Sequence, residues 1–307
     1  MKIQLSEHFD YRKLFRYTLP SILMMICTSV YSVVDGFFVS NFVGKTPFAA
    51  VNFIMPFLMI LGAIGFMFGT GGSALIGMTM GMGKQDKAKR LFSLFIYVTI
   101  ACGITLAVLG ILFIRPIAAL LGAEGAMLEN CVIYGRIILL ALPAYMLQYE
   151  FQSFFATAGK PQLGLFFTIT AGVTNMVLDA LFVAVFRWGL AGAAAATAAS
   201  QVIGGIAPLV YFGCPNTSLL RLTKTHLDGR ALKKACINGS SELMSNISMS
   251  IVSMLYNVQL MKYAGEDGVA AYGVLMYVNM IFLSTFIGYS AVSYTHLRAH
   301  ETLANLV

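Results

Sequence analysis

The chain has 307 residues, of which 58% are hydrophobic and only 11% charged, whereas soluble domains carry about a quarter charged residues. With a mean hydropathy of +0.80 it reads as an integral membrane protein, which excludes a soluble fold. The formal net charge of +7 sits in loops, where it orients the chain in a bilayer and gives no reason to invoke nucleic acid.

Residues 1–17, MKIQLSEHFDYRKLFRY, carry acids and an interrupted apolar pattern with no cleavage-site run. They read as a cytoplasmic lead-in helix and not a signal peptide. Crossing about 30 Å of hydrocarbon takes about 20 apolar residues. Eight such stretches follow, at 14–42, 48–80, 91–114, 131–157, 163–186, 190–212, 235–261 and 269–292. The first two are overlong and are expected to tilt. The expected fold is therefore an all-α membrane protein of about eight transmembrane helices, with kinks at Pro20, Pro56, Pro143 and Pro208. Fourteen Lys and Arg fall on the N-terminus and the loops after spans two, four and six, against four (Lys45, Arg115, Arg187, Lys262) on the other side. The side poor in bases also carries Glu124, Glu129, Glu266 and Asp267. That asymmetry places the N-terminus in the cytoplasm.

The longest internal polar segment, 214–230 (CPNTSLLRLTKTHLDGR), divides the chain. It reads as a hinge between a six-helix lobe at 1–213 and a second unit at 235–291, with 214–234 as the cytoplasmic connection. Offset by 221 residues, GKTPFAAVNFIMP (44–56) falls on GEDGVAAYGVLMY (265–277). Spans seven and eight thus look like spans one and two repeated, as in transporters built from duplicated six-span halves. From Val292 the text changes to VSYTHLRAHETLANLV, which resembles translated sequencing adapter. We expect 292–307 to be a non-native tail and the chain to be a fragment lacking four of twelve spans. Five cysteines stand singly, without a CxxC, and read as packing residues. GTGGS at 69–73 lacks the lysine of a phosphate loop and reads as close helix packing. The sequon at Asn216 lies on the inner side and reads as a chance match.

Two acids interrupt the apolar runs: Asp35 in SVYSVVDGFFVSNF and Asp179 in TNMVLDALFVAVF. A charge at membrane depth costs about 2.5–3.5 kcal/mol on insertion scales and is usually kept for ion or substrate handling. Asn175 shares a face with Asp179 at i, i+4, and Tyr31 does the same for Asp35. Counting along the spans at 1.5 Å per residue puts Asp35, Asp179 and Thr197 at similar depth in the outer half of the first lobe. Two carboxylates in one low-dielectric pocket oppose each other's ionisation, so the pair can carry a proton, hold sodium or attract a cation. Asn, Thr and Tyr oxygens are the hard ligands that an alkali ion takes. The plainer alternative is that each acid only bonds a neighbouring helix. Glu242 and Gln152 are further cavity candidates, and Glu150 reads as solvated or gate-lining near the cytoplasmic end of its span. No His or Cys cluster makes a metal site.

These residues resemble the multidrug and toxic compound extrusion family, in its branch of small bacterial exporters. The likeness rests on P-x14-D-x2-F at 20–38, FQSFFATAGKP at 151–161, TNMVLDALF at 174–182 and GLAGAAAATAASQ at 189–201. It implies an ion and proton site at Asp35, Asn175, Asp179 and Thr197. It further implies an antiporter of the bacterial cytoplasmic membrane, monomeric at full length, that exports small organic cations against H+ or Na+ by alternating access and needs no cofactor. The alternatives are a lipid-linked oligosaccharide flippase of the same superfamily and an intramembrane aspartyl protease. A flippase calls for more buried bases than Arg136 supplies, and no GxGD motif flanks either acid.

Overall fold

The computed structural model describes residues 29–215 and 217–304, the last of them, from 284 on, as backbone. Pro20, Cys27, Asn216 and the expected lead-in helix lie outside the described residues. α1 runs over Ser29–Val43, α2 over Lys45–Gly81, α3 over Gln85–Leu120, α4 over Gly125–Thr157, α5 over Pro161–Val185, α6 over Gly189–Gly213 and α7 over Gly229–Ala304. α2 to α6 are each long and apolar enough to cross a membrane. The chain is an all-helical, multi-pass membrane protein.

Spans seven and eight appear as one element, α7, broken at Gly265. There the backbone takes φ 62°, a region that glycine enters without the Cβ clash other residues meet. The two arms, 229–264 and 266–304, correspond to the two expected spans, and the second continues helically through Ala304.

Around a core of buried rings and aliphatic side chains, the single helix α5 shows how polar residues turn inward. On α5, Phe166, Ile169, Val173 and Val177 form an exposed stripe, while Thr168, Gly172, Asn175 and Asp179 are buried on the opposite face. That inversion of the soluble pattern follows from lipid being the solvent. α2 lies centrally. Its Gly62, Gly65 and Gly69 meet Tyr145 and the backbone of Met146 and Glu150 on α4. Its Gly71 meets the Ala235 carbonyl of α7, and Gly239 of α7 meets the Met67 carbonyl. The glycine run thus does pack helices together, as small residues do where backbones must approach closely.

The two ends of the bundle differ in chemistry. One carries Lys84–Arg90 and Lys160 and is filled by rings, with Phe92 against Phe212 at 4.9 Å and against Phe154 at 5.2 Å. The segment expected to act as a hinge is strapped onto this basic end. Leu220 is fully buried, the Thr223 amide donates to Ser93 Oγ at 2.8 Å, and the Leu222 amide donates to the Phe212 carbonyl at 3.0 Å.

At the acidic end, Lys45 pairs with Asp267, and Thr46 Oγ1 donates to Glu266 Oε2 at 2.5 Å. The offset of 221 equates Lys45 with Glu266 and Thr46 with Asp267. The partners are therefore exchanged crosswise, as at a two-fold, self-complementary contact. Gly44 and Gly265, also equivalent, both take positive φ (121° and 62°).

Candidate functional site

Asp35 on α1 and Asp179 on α5 face each other inside the lobe, 7% and 0% exposed. Asp179 and Thr197 are the polar neighbours of Asp35. Two ionised carboxylates are acceptors only, so a bond between them exists only when one carries a proton. Asn175 donates through Nδ2 to Thr197 Oγ1 at 3.4 Å, which ties α5 to α6 and leaves Asn175 Oδ1 without a partner. The sequence prediction for Asp35, Asn175, Asp179 and Thr197 therefore describes one place in the structure.

The helices are irregular where they carry the acids. α5 changes from α to π winding at Ala180, immediately after Asp179. α1 does the same at Val39–Val43, one turn beyond Asp35. The two π turns touch each other and α6. Single π turns inserted in α-helices recur at functional sites.

Tyrosines complete the wall. Tyr134 of α4, fully buried, lies beside Asp35, Asp179 and Thr197, and its hydroxyl has no partner. Tyr277, from the second arm of α7, approaches Asp35 from the other side, and its ring covers Gly36 so closely that a Cβ there would lie 2.7 Å away. Tyr31 is near Asp35 and Tyr149, and Tyr149 shares a 3.0 Å hydroxyl contact with Tyr145. Sequence reasoning missed Tyr134 and Tyr277. The signal was available for Tyr134, because a tyrosine at the depth of the acids has to find its hydroxyl a partner.

The remaining candidates fall elsewhere. Gln152 lines a small cavity nearer the basic end with Gln148, Thr168, Gly204 and Pro208. Glu242 is exposed on the first arm of α7 and lines no part of the acid site. Glu150, expected to be solvated or gate-lining, is instead 0% exposed, because the α2 glycines bring that helix onto its backbone. Arg136, the one base well inside a span of the first lobe, is exposed and does not enter the interior.

Five buried oxygens of this site have no hydrogen-bond partner: Asp35 Oδ1, Asp179 Oδ1 and Oδ2, Asn175 Oδ1 and the Tyr134 hydroxyl. Buried polar atoms are nearly always satisfied, so a cluster of orphans from three helices calls for a chemical reason. Together with Thr197 Oγ1 they form an oxygen-only shell of the kind that suits a proton or a hard cation. No group of three or more His, Cys, Asp and Glu side chains able to hold a metal occurs among the described residues.

Residues 20–181, just over half of the chain, match the family model MatE. The chain is 24% identical over 270 residues to the multidrug export protein MepA of Staphylococcus haemolyticus, covering 88% of this chain and 60% of that protein. Among solved structures it resembles an inward-facing multidrug resistance MATE family transporter of the MOP superfamily, with a TM-score of 0.82 at 23% identity over 90% of this chain and 63% of that one. An outward-facing structure of such a transporter matches equally, with a TM-score of 0.81 at 22% identity over 92% of this chain and 63% of that one. The likeness is thus to the fold and not to one state. The chain spans about 60% of the length of the curated relatives it matches.

Proposed function

Because the chain belongs to the MatE family, whose members are transporters and not enzymes, we propose that it supplies the ion-coupling lobe of a multidrug exporter that exchanges small organic cations for H+ or Na+. The observation that carries this reading is the cluster of five partnerless buried oxygens around Asp35 and Asp179. Binding one proton lets the two carboxylates bond each other. Binding sodium lets both ionise against a shell completed by Asn175, Thr197 and Tyr134. Either occupant removes the repulsion between the acids, and its release restores it. Such a change is what alternating access needs from a coupling site. With the basic end cytoplasmic, the site lies in the outer half of a bacterial cytoplasmic membrane. The outward-facing Arg136 favours a cationic cargo over a pyrophosphate-linked one.

Trp188, the chain's single tryptophan, supplies the test. It stacks on Phe182 at 4.7 Å and meets Phe186, tilted, at 5.5 Å, and Phe182 belongs to the π turn that follows Asp179. In the purified chain in lipid nanodiscs, Trp188 emission should respond to a proton or a sodium titration at fixed ionic strength. Asp35→Asn and Asp179→Asn should each remove that response while leaving the helical circular dichroism intact. Identical titrations in all three proteins would sink the assignment.

A further inference from the structure

Glu150 is a third buried acid of the same lobe, and the site above does not use it. On α4 it lies sixteen residues beyond the Asp35- and Asp179-facing Tyr134, about 24 Å along the helix toward the basic end. It is 0% exposed, and neither carboxylate oxygen has a hydrogen-bond partner. Its polar neighbour is Thr99 of α3, whose Oγ1 is itself buried and without a partner.

Thr99 differs from five other threonines of this bundle. Thr70, Thr79, Thr105, Thr157 and Thr170 each donate their hydroxyl to the carbonyl four residues back in their own helix. This is the ordinary refuge of a threonine in an apolar span. Thr99 forgoes it and leaves its hydroxyl for Glu150.

The surroundings decide what Glu150 binds. α2 presents Gly69, whose Cβ position lies 3.1 Å from the Glu150 Cα and 3.3 Å from Ser153 Oγ. One turn along, Gly72 faces Phe95 of α3 and Phe154 of α4. α3 presents Thr99. No Lys, Arg or His side chain is paired with Glu150 among the described residues. An ionised carboxylate without a counter-charge is costly at membrane depth. A sodium ion takes a fuller shell than one carboxylate and one hydroxyl offer. A proton needs only what is there: the neutral acid donates to Thr99, whose own hydroxyl is free to turn.

We infer that Glu150 and Thr99 form a second proton-binding site on the basic-end half of this lobe, separate from the Asp35–Asp179 pair. The lobe then holds a proton acceptor in each half of the bilayer. This inference stands on the α3–α4 geometry and does not depend on which ion the outer pair binds.

Carbodiimide labelling of the purified chain, in nanodiscs at a series of pH values and read by peptide mass spectrometry, tests it. Dicyclohexylcarbodiimide partitions into apolar sites and adds to protonated carboxyl groups. Expected are an adduct on Glu150 that falls as pH rises, and its loss in Glu150→Gln with the helical content and the Trp188 response unchanged. A pH titration of wild type against Glu150→Gln should also show one exchangeable proton fewer in the variant. Adducts on Asp35 or Asp179 with none on Glu150 would overturn this inference and leave the coupling site standing. Adducts on Glu150 alone would support it and would point to sodium, not a proton, at the outer pair. An unlabelled Glu150 with an unchanged proton count would likewise overturn it.

Discussion

The seam between α2 and the first arm of α7 makes a sharp demand on Gly71. A Cβ there would lie 2.0 Å from the Ala235 carbonyl oxygen, whereas ordinary contact begins at 3.4 Å, so the two backbones would have to part by about 1.4 Å. The obstacle is a main-chain atom and cannot swing aside. Even a 0.5–1 Å gap forfeits about a quarter to a half of the dispersion well at each contact, and overpacking of this kind costs about 1–3 kcal/mol. The same substitution gains about 0.5–1 kcal/mol because alanine loses less backbone entropy than glycine in a helix. Gly77, two turns along α2, has nothing within 4 Å of its Cβ position. Gly77→Ala should therefore stabilise by that gain of about 0.5–1 kcal/mol, while Gly71→Ala should be net destabilising, by up to about 2.5 kcal/mol. Comparing the pair cancels helix propensity and isolates the steric clash. Unfolding of the purified chain in mild detergent, by heat or by graded addition of a denaturing detergent, reads both. Equal shifts in the two variants, or a stabilised Gly71→Ala, would refute the close approach of α7 to α2.

Other perturbations probe the strap, the acidic-end contact and the wall of the acid site. Ser93→Ala removes the acceptor of the Thr223 amide, a 2.8 Å bond. It should destabilise the strap by about 1–3 kcal/mol, seen as faster proteolysis within 217–228 while the helical core resists. The Lys45–Asp267 pair is 60% and 72% exposed, so either single charge reversal should change stability only slightly, because solvent screens the pair. The double reversal should recover the wild-type value, and the single effects should vanish in about 1 M salt, where the screening length is about 3 Å. In Gly36→Ala the new methyl, 2.7 Å from the Tyr277 ring, should push that ring aside. The midpoint of the Trp188 titration should move, with the melting temperature nearly unchanged. A large loss of stability with no shift in midpoint would mean that the ring cannot yield and that Tyr277 has no part in ion binding.

The polar face of the site was legible because helical spacing and depth are both arithmetic. Asn175 and Asp179 at i, i+4 had to share a face, and counting along three spans put Asp35, Asp179 and Thr197 at one level. Glu150 escaped the same counting. Distance from a span's end predicts solvation only if nothing covers the residue, and the cover here is the glycine run of α2, whose meaning depends on which helix it meets. Tyr277 escaped because it arrives from the repeated pair of helices, some 240 residues along the chain from Asp35, and no local pattern encodes that approach. Two separate spans were expected at 235–261 and 269–292, but DGVAAYGV restarts the helix directly after Gly265, so they form one bent element. The π turns have no residue signature, since an extra residue per turn is fixed by the register of packing and not by side-chain type.

Those π turns bear on how a charge change inside one lobe reaches the rest of the chain. A π turn holds one residue more than the α turn it replaces, so helix beyond it is rotated relative to the regular register. The spare residue can be taken up or released without breaking the helix. Asp179 stands at the last α-helical position before such a turn, and Asp35 one turn before its own. The acids thus sit where their helices resist re-registration least, and the two irregular turns lie against each other and against α6. On the far side of Asp35, Gly36 lets the Tyr277 ring rest directly on α1. On the proposed function, closing or opening the carboxylate pair would act on two helix ends at these irregular turns, with the Tyr277 ring of α7 resting on α1 beside Asp35.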